Sequence, residues 1–551
     1  MDFNRFFLLL IFTFSVFLLW DGWQRSQHPE AQTAPAATQA ASAPIAAPSA
    51  TLAAAPGRPD SAEIQTRQKQ EAGQKITVKT DLMVAEISSI GGDLRRLEFT
   101  QHRDALDKSK LFTLLQEQKA HTYIAQTGLL GSGLPTHHAS FVAQASDYQL
   151  VEGKDSLEVR LVTTDATAAK VSKIFVFHRG SYLVDVSYEI ENIGPTPISP
   201  SAYFQLVRDT SPPEGGSQFV PTYTGPAIYT EQEKFQKVDF SDIDKGKTSY
   251  PQRADNGWIG MLQHYFVAAW LPKDKVQREY YTKQLEGGLY SAGVILPVSA
   301  VEPGQIAKVG VPLYVGPAQI SLDKIAPGLG LTVDYGWFTI IANPLFWLLT
   351  FLQGWVQNWG VAIILLTILI KLAFFPLSAA SYRSMGKMRV VAPKLEKIKQ
   401  QYGDDRERLH KAMMELYKVE KINPLGGCLP VVIQIPVFIA LYWSILASVE
   451  MRYAPFFGWI IDLSAADPYY VLPLIMGASM ILQTRLNPTP PDPLQARMMQ
   501  IMPVVFSIVF FFFPAGLVLY SIVNNVLSIL QQWYITRGLE AEAKAKGAAK
   551  T

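Results

Sequence analysis

Between Trp337 and Trp533 this chain carries apolar runs far longer than a surface element needs, and Trp337 to Leu377 alone is about twice the length of one membrane-spanning helix. Inside that stretch, Val361 to Leu377 (VAIILLTILIKLAFFPL) holds a single charge, Lys371. A lysine at the middle of a span costs roughly 2.5 to 3.5 kcal/mol on insertion scales. That cost points to a charge facing a polar cavity or pathway inside the bilayer. The competing reading is a lysine that snorkels to the nearer membrane surface.

The rest of the membrane half divides by its punctuation. Asn343-Pro344 can open a helix and Gly354 with Asn358-Trp359-Gly360 can break one, so 334–357 reads as an interfacial amphipathic helix with Trp347 and Trp355 at headgroup level. The spans that follow are expected at 358–378, 425–446, 470–485, 498–513 and 517–535. The last two are separated only by Pro514-Ala515-Gly516, which predicts a tight antiparallel hairpin. At the other end of the chain, Phe6 to Trp20 is followed at once by Asp21, and small residues suited to cleavage first occur at Ala34-Pro35-Ala36. Residues 1–23 therefore read as an uncleaved anchor, for six spans in all.

Two regimes share the 551 residues: hydrophobic residues make up 48% and charged ones only 17%, yet long stretches have ordinary soluble composition. Residues 24–74, rich in Ala, Pro, Ser, Thr and Gln, cannot bury enough surface to fold and read as a tether. From Lys75 to about 333, period-two runs such as ITVKTDLMVAEI (Ile76 to Ile87), KIFVF (Lys173 to Phe177) and YLVDVSYEI (Tyr182 to Ile190) alternate with Gly and Pro pairs. This predicts a large all-β sandwich with its own core.

Residues 379–424 form a basic interlude. Leu395, Ile398 and Tyr402 before Gly403-Asp404-Asp405, and Leu409, Met413 and Leu416 after it, recur at helical spacing and predict a helical hairpin. Arg383, Lys387, Arg389, Lys394, Lys397, Arg406 and Arg408 are its candidate contact residues for a binding partner; for most of them the plainer reading is a solvated helix surface. The hairpin, the loop at 486–497 and the tail at 536–551 all fall on one side under six-span alternation. The positive-inside rule makes that side cytoplasmic and places the β domain and the 447–469 loop outside.

Enzymatic signatures are missing: the chain contains no H-E-x-x-H, G-x-S-x-G, P-loop or G-x-G-x-x-G. The lone Cys428 cannot form an intramolecular disulfide, and Leu425-Gly426-Gly427-Cys428 precedes an apolar run where a lipoprotein box would follow one. No cofactor is expected. What the spans do carry is polar residues: Thr367 with Lys371, Gln434 and Ser444, Gln483, Ser507, and Tyr520-Ser521 with Asn524, Asn525 and Ser528. Each alone could be interhelical glue worth about 0.6 kcal/mol. Thr367 and Lys371 share one helix face, as do Ser521, Asn525 and Ser528, and faces of this kind on several helices can line a hydrated groove.

Four stretches carry a long and specific likeness: KLAFFPLSAASYRSMGKMRVVAPKLEKIKQQYGDD (371 to 405), KVEKINPLGGCLPVVIQIPVFIALYW (418 to 443), DLSAADPYYVLPLIMGASM (462 to 480) and FPAGLVLYSIVNNVLSILQQ (513 to 532). In these the chain closely resembles the YidC membrane protein insertase family of Gram-negative bacteria. The resemblance implies a polytopic α-helical membrane protein with a five-helix insertase core, preceded by an anchor and a periplasmic β-supersandwich similar to sugar-mutarotase folds. It implies a bacterial inner-membrane location with both termini cytoplasmic. It further implies a groove open to cytoplasm and lipid, with Lys371 where the family usually has arginine; Thr367, Gln434, Tyr520, Ser521 and Asn525 are expected to join it there, since polar groups facing lipid cost free energy. The implied partners are nascent inner-membrane proteins, the Sec translocon, the ribosome with its RNA and no other specific nucleic acid, and membrane lipids. The lysine keeps the charge but loses the planar five-donor fork of arginine. Two other classes stand beside this one: a small-solute transporter or channel, against which the lack of an obvious repeat counts, and an enzyme or receptor working through the β domain.

Overall fold

The computed structural model describes residues 73–104, 107–118, 121–164, 168–213, 222–247, 249–333, 335, 338–403, 405–420, 429–486 and 493–548. The expected anchor, nearly all of the tether and Cys428 lie outside the described residues. The chain divides into two compact units, one holding most of the strands and the other the helices from residue 316 onward.

In the first unit the strands among the described residues form a ten-stranded and a nine-stranded sheet. Period-two alternation is clearest at Leu183–Asn192, where every second residue is buried. The run Ile76 to Ile87 is two strands, Lys75–Lys79 and Met83–Ser88, paired antiparallel around a turn that the Thr80 hydroxyl fixes by accepting from the Met83 N–H at 3.1 Å. The sheets pack face to face. Thr127 on the larger sheet shares a 2.6 Å hydrogen bond with Tyr188 on the smaller, and Phe204 lies 5.2 Å from Trp270 between them.

Polar groups buried in this unit are chained. Tyr281 donates to Gln205 (2.9 Å), Gln205 to Gln126 (3.0 Å), and Gln126 to Asp93 (3.1 Å). Gln126 and Gln205 sit directly opposite in neighbouring strands, and Gly293, opposite both Gln205 and Tyr281, leaves room for the tyrosine ring. Lys173 is buried too, donating to the Gly91 carbonyl (2.9 Å) above the rings of Phe175 and Tyr188. Satisfied in this way, the groups avoid the 1–3 kcal/mol typical of an unmade buried hydrogen bond.

The second unit contains helices α1 (Thr339–Val356), α2 (Trp359–Ala373), α3 (Phe375–Tyr402), α4 (Arg406–Val419), α5 (Leu429–Ala447), α6 (Val471–Leu486), α7 (Pro493–Phe510) and α8 (Ala515–Ala548). Several differ from the sequence expectation. Helix α1 opens at Thr339, ahead of Asn343-Pro344, because Pro344 in its second turn forfeits only the bond to the Ile340 carbonyl. Gly354 stays helical. The break falls instead at Gln357, which turns left-handed (φ 53°), and at Asn358, whose side chain accepts from the Val361 N–H to cap α2.

The run expected as one span at 358–378 is broken at Phe374, where α2 bends into α3 by 67°. Pro376, in the first turn of α3, has no N–H to continue the ladder. Lys371 thus occupies the last turn of α2 rather than the middle of a straight helix. Beyond the bend, α3 and α4 form the expected hairpin around Val391, Leu395 and Tyr417. Asp405 caps α4 by accepting from the N–H groups of Glu407 and Arg408. Gly403 closes α3 in a right-handed conformation, not the left-handed one glycine usually supplies there.

Helices α7 and α8 are joined by a short turn, but both pack against α6, so they splay rather than form a closed hairpin. Ser507 on α7 donates to the Pro473 carbonyl of α6, and Gly477 admits that close approach. The turn is clasped by the 447–469 loop: Ala515 N–H donates to Ala465 (2.7 Å) and Gly516 N–H to Leu463 (2.9 Å). In the same loop Asp467 is buried and accepts from Trp459, Tyr469 and Leu472, the last at the start of α6. Finally, α8 runs on to Ala548, so most of the expected tail continues the last helix.

Phe456 of that loop lies on Gly360, where a Cβ would overlap its ring. Gly360→Ala is expected to cost about 1–3 kcal/mol by overpacking, lowering the melting temperature of the detergent-solubilised protein. The Gly360→Ala, Phe456→Ala double variant should lose less than the sum of the two singles. Strict additivity in thermal unfolding would mean the ring does not rest there.

Candidate functional site: a cavity of mixed lining among apolar helices

Four helices of the second unit surround a cavity of about 200 Å³. Gln434 and Phe438 reach it from α5, Met476 and Met480 from α6, Phe506 and Phe510 from α7, and Tyr520, Ser521, Asn524 and Asn525 from α8. The splay of α7 and α8 around α6 is what opens the space. Helical spacing fills it: Gln434 and Phe438 are four apart, as are Met476 and Met480, while Ser521 shares a face with Asn524 and Asn525.

The polar lining is uncharged and anchored. Gln434 donates its amide to the Asn524 side-chain oxygen across α5 and α8. Asn525 donates to Ser479 (3.1 Å) and the Met476 sulfur (3.4 Å) on α6, and Ser521 donates back to the Leu517 carbonyl of its own helix. Tyr520, only 1% exposed, sets its hydroxyl beside the Gln434 side chain. At the end nearest the α7–α8 turn an aromatic cluster closes in: Phe438 meets Phe510 (6.3 Å) and Tyr520 (6.2 Å), Tyr442 meets Phe513 (5.3 Å), and Phe510 meets Phe513 (5.5 Å). Phe511 instead pairs with Tyr470 in front of α6.

The candidate groove residues therefore divide. Gln434, Tyr520, Ser521 and Asn525 line one cavity; Thr367 and Lys371 do not. Thr367 is buried and donates to the Ile363 carbonyl of its own helix (2.7 Å). Half-buried Lys371 donates to Ser528 (2.7 Å), whose hydroxyl in turn donates to the Asn524 carbonyl (2.7 Å). The lysine is thus one helical turn along α8 from the cavity and tied to it through Asn524. Ser444, which donates to Ala440, and Ser507 serve packing rather than the cavity.

Asn524, Phe438 and the two methionines were not singled out from the sequence as groove residues. The step of three from Ser521 and of four from Gln434 would have found the first two, whereas Met476 and Met480 look like ordinary core. Of the hairpin residues, Arg383, Lys387, Lys394, Lys397 and Arg408 all face solvent. Lys394 pairs with Glu420 (2.6 Å) and Arg408 with Asp405 (3.2 Å). The side chains of Arg389 and Arg406 lie outside the described set.

Comparison with known proteins follows the division of the chain. Residues 75–348 match a family model described as the YidC periplasmic domain, and residues 351–543 one described as 60Kd inner membrane protein. A protein of Nitrosospira multiformis named membrane protein insertase YidC is 56% identical over 98% of each chain. Its namesake from Methylobacillus flagellatus is 54% identical over 100% of each. A crystal structure titled as an active YidC insertase with the first transmembrane domain resolved covers 84% of this chain and 93% of its own, at 20% identity and a TM-score of 0.39.

The cavity makes a pattern of reactivity predictable. In a Cys428→Ser background, Ser521→Cys and Asn524→Cys should react with a polar thiol reagent at least about tenfold faster than Thr367→Cys, which packing protects, or Leu369→Cys, which lies on an apolar outer face. Equal rates at all four positions would mark the cavity as a dry packing gap.

Proposed function

Because this chain belongs to the YidC family of membrane protein insertases, we propose that it inserts nascent inner-membrane proteins by admitting their polar segments to the cavity between α5, α6, α7 and α8. The observation that carries this reading is the uncharged polar lining of Gln434, Tyr520, Ser521, Asn524 and Asn525 within helices whose other faces are apolar and exposed. A polar segment crossing unaided meets about 30 Å of hydrocarbon. A hydrated recess partway through shortens that dry path and needs no nucleotide. The apolar helix that follows then enters lipid by its own transfer free energy, about 25 cal/mol per Å².

The arrangement in the membrane belongs to the same proposal. Six spans are read: the N-terminal run, α2 with the start of α3, then α5, α6, α7 and α8. Helix α1 is itself long and apolar enough to cross. Its exposed ladder of Trp347, Phe351 and Trp355, with ring centroids 5.9 and 5.8 Å apart, supports a place along the outer interface. Positive charge on the α3–α4 hairpin puts both termini and that hairpin in the cytoplasm, within reach of the ribosome and of substrates, and leaves the β domain outside. The Sec translocon is a partner in the same reading. Lys371, at the inner end of α2, attracts acidic outer segments as they approach.

Reconstitution tests this. Liposomes holding the purified protein should support insertion of a small membrane protein and pass no small solutes; solute flux without insertion would favour a transporter. In the same vesicles Lys371→Arg should work nearly as well as lysine. Lys371→Ala should lower insertion several-fold for substrates with acidic outer segments, and little for neutral ones. Full activity of Lys371→Ala on acidic substrates at equal protein levels would reduce the lysine to a snorkelling residue.

A further inference from the structure

The cavity is built for something other than charge. None of its lining residues is ionisable near neutral pH, and Lys371 spends a hydrogen bond on Ser528 a turn away. What the lining offers is carboxamides from Gln434, Asn524 and Asn525, the buried Tyr520 hydroxyl beside Gln434, and an apolar remainder of Phe438, Phe506, Phe510, Met476 and Met480. A carboxylate brought here would lose hydration and meet no cation, which is expensive in a medium of low dielectric. A helical segment would bring a backbone already bonded to itself and offer the carboxamides nothing to pair with. An extended segment brings N–H and C=O groups that have lost water and need partners.

Amides pair with amides. We propose that this cavity recognises the main chain of an extended peptide segment, through Gln434, Asn524 and Tyr520, and is indifferent to whether the side chains are acidic or neutral. Met476 and Met480, unbranched and polarisable, accommodate those side chains. The proposal rests on the insertase reading of the same cavity and supplies what that reading leaves open, the chemical feature shared by unrelated substrates. Charge selectivity then belongs to approach past Lys371, and capture belongs to the amides.

The full-length Ser521→Cys, Cys428→Ser protein in lipid nanodiscs reports occupancy through protection of the thiol. Three synthetic peptides of one outer-segment sequence serve as probes: a neutral parent, a version with two asparagines changed to aspartate, and the parent N-methylated at alternate residues. The neutral and aspartate peptides should protect with Kd values within about twofold, and the N-methylated one at least about tenfold more weakly. Tyr520→Phe, which removes one hydroxyl and keeps the ring, should weaken the parent several-fold and the N-methylated peptide much less. Tighter binding of the aspartate peptide, undiminished binding after N-methylation, or no protection by any peptide would overturn the proposal. An insertion assay on the same protein shows separately whether the insertase reading falls with it.

Discussion

The helical unit depends on one constraint: a polar group away from water must be answered by another polar group. Lys371 is answered by Ser528, Ser528 by the Asn524 carbonyl, and the Asn524 side chain by Gln434. That relay ties the end of α2 to α8 and α8 to α5, so the groups that make the cavity polar also hold its walls. The β unit uses the same rule from Tyr281 through Gln205 and Gln126 to Asp93, where the chain is fully enclosed. The difference lies in what each relay borders. In the β unit it runs through packed protein, whereas in the helical unit it borders a cavity.

Much of this was legible in the sequence. Alternation announced the strands, apolar length announced the helical unit, and the polar residues of its apolar runs included the polar half of the cavity lining, Gln434, Tyr520, Ser521, Asn524 and Asn525. What escaped has a physical cause in each case. The bend at Phe374 follows from Pro376 and from packing, and a run such as LAFFPL does not say whether its proline kinks a helix or begins one. Thr367 and Lys371 were placed beside Gln434 because i, i+4 spacing identifies a face but not the neighbour that face meets. Packing turned Thr367 onto its own backbone and Lys371 toward Ser528.

Closure at the α7–α8 end shows how two levels of structure combine. Five aromatic rings fill the space, yet rings alone are mobile. The backbone bonds from Ala515 and Gly516 to the 447–469 loop fix the turn, and Asp467 fixes that loop to α6. The aromatic run FFFFP reads in sequence as one more apolar stretch. Its role as a lid frame depends on a loop fifty residues earlier.

The bend at Phe374 also has a mechanical side. Helix α3 leaves it as one continuous helix of 28 residues with Pro393 inside it, at most about 42 Å at 1.5 Å per residue. A rotation of only about 5° at its base sweeps the far tip through roughly 4 Å, on the scale of the chain's own Cα spacing. Ala379, Tyr382 and Met385 near that base pack on Ile535 of α8, the same helix that carries the cavity residues. The basic hairpin is therefore the long arm of a lever whose short arm ends beside Lys371. An angular change too small to disturb the packing at Ile535 displaces the tip by about a residue's length.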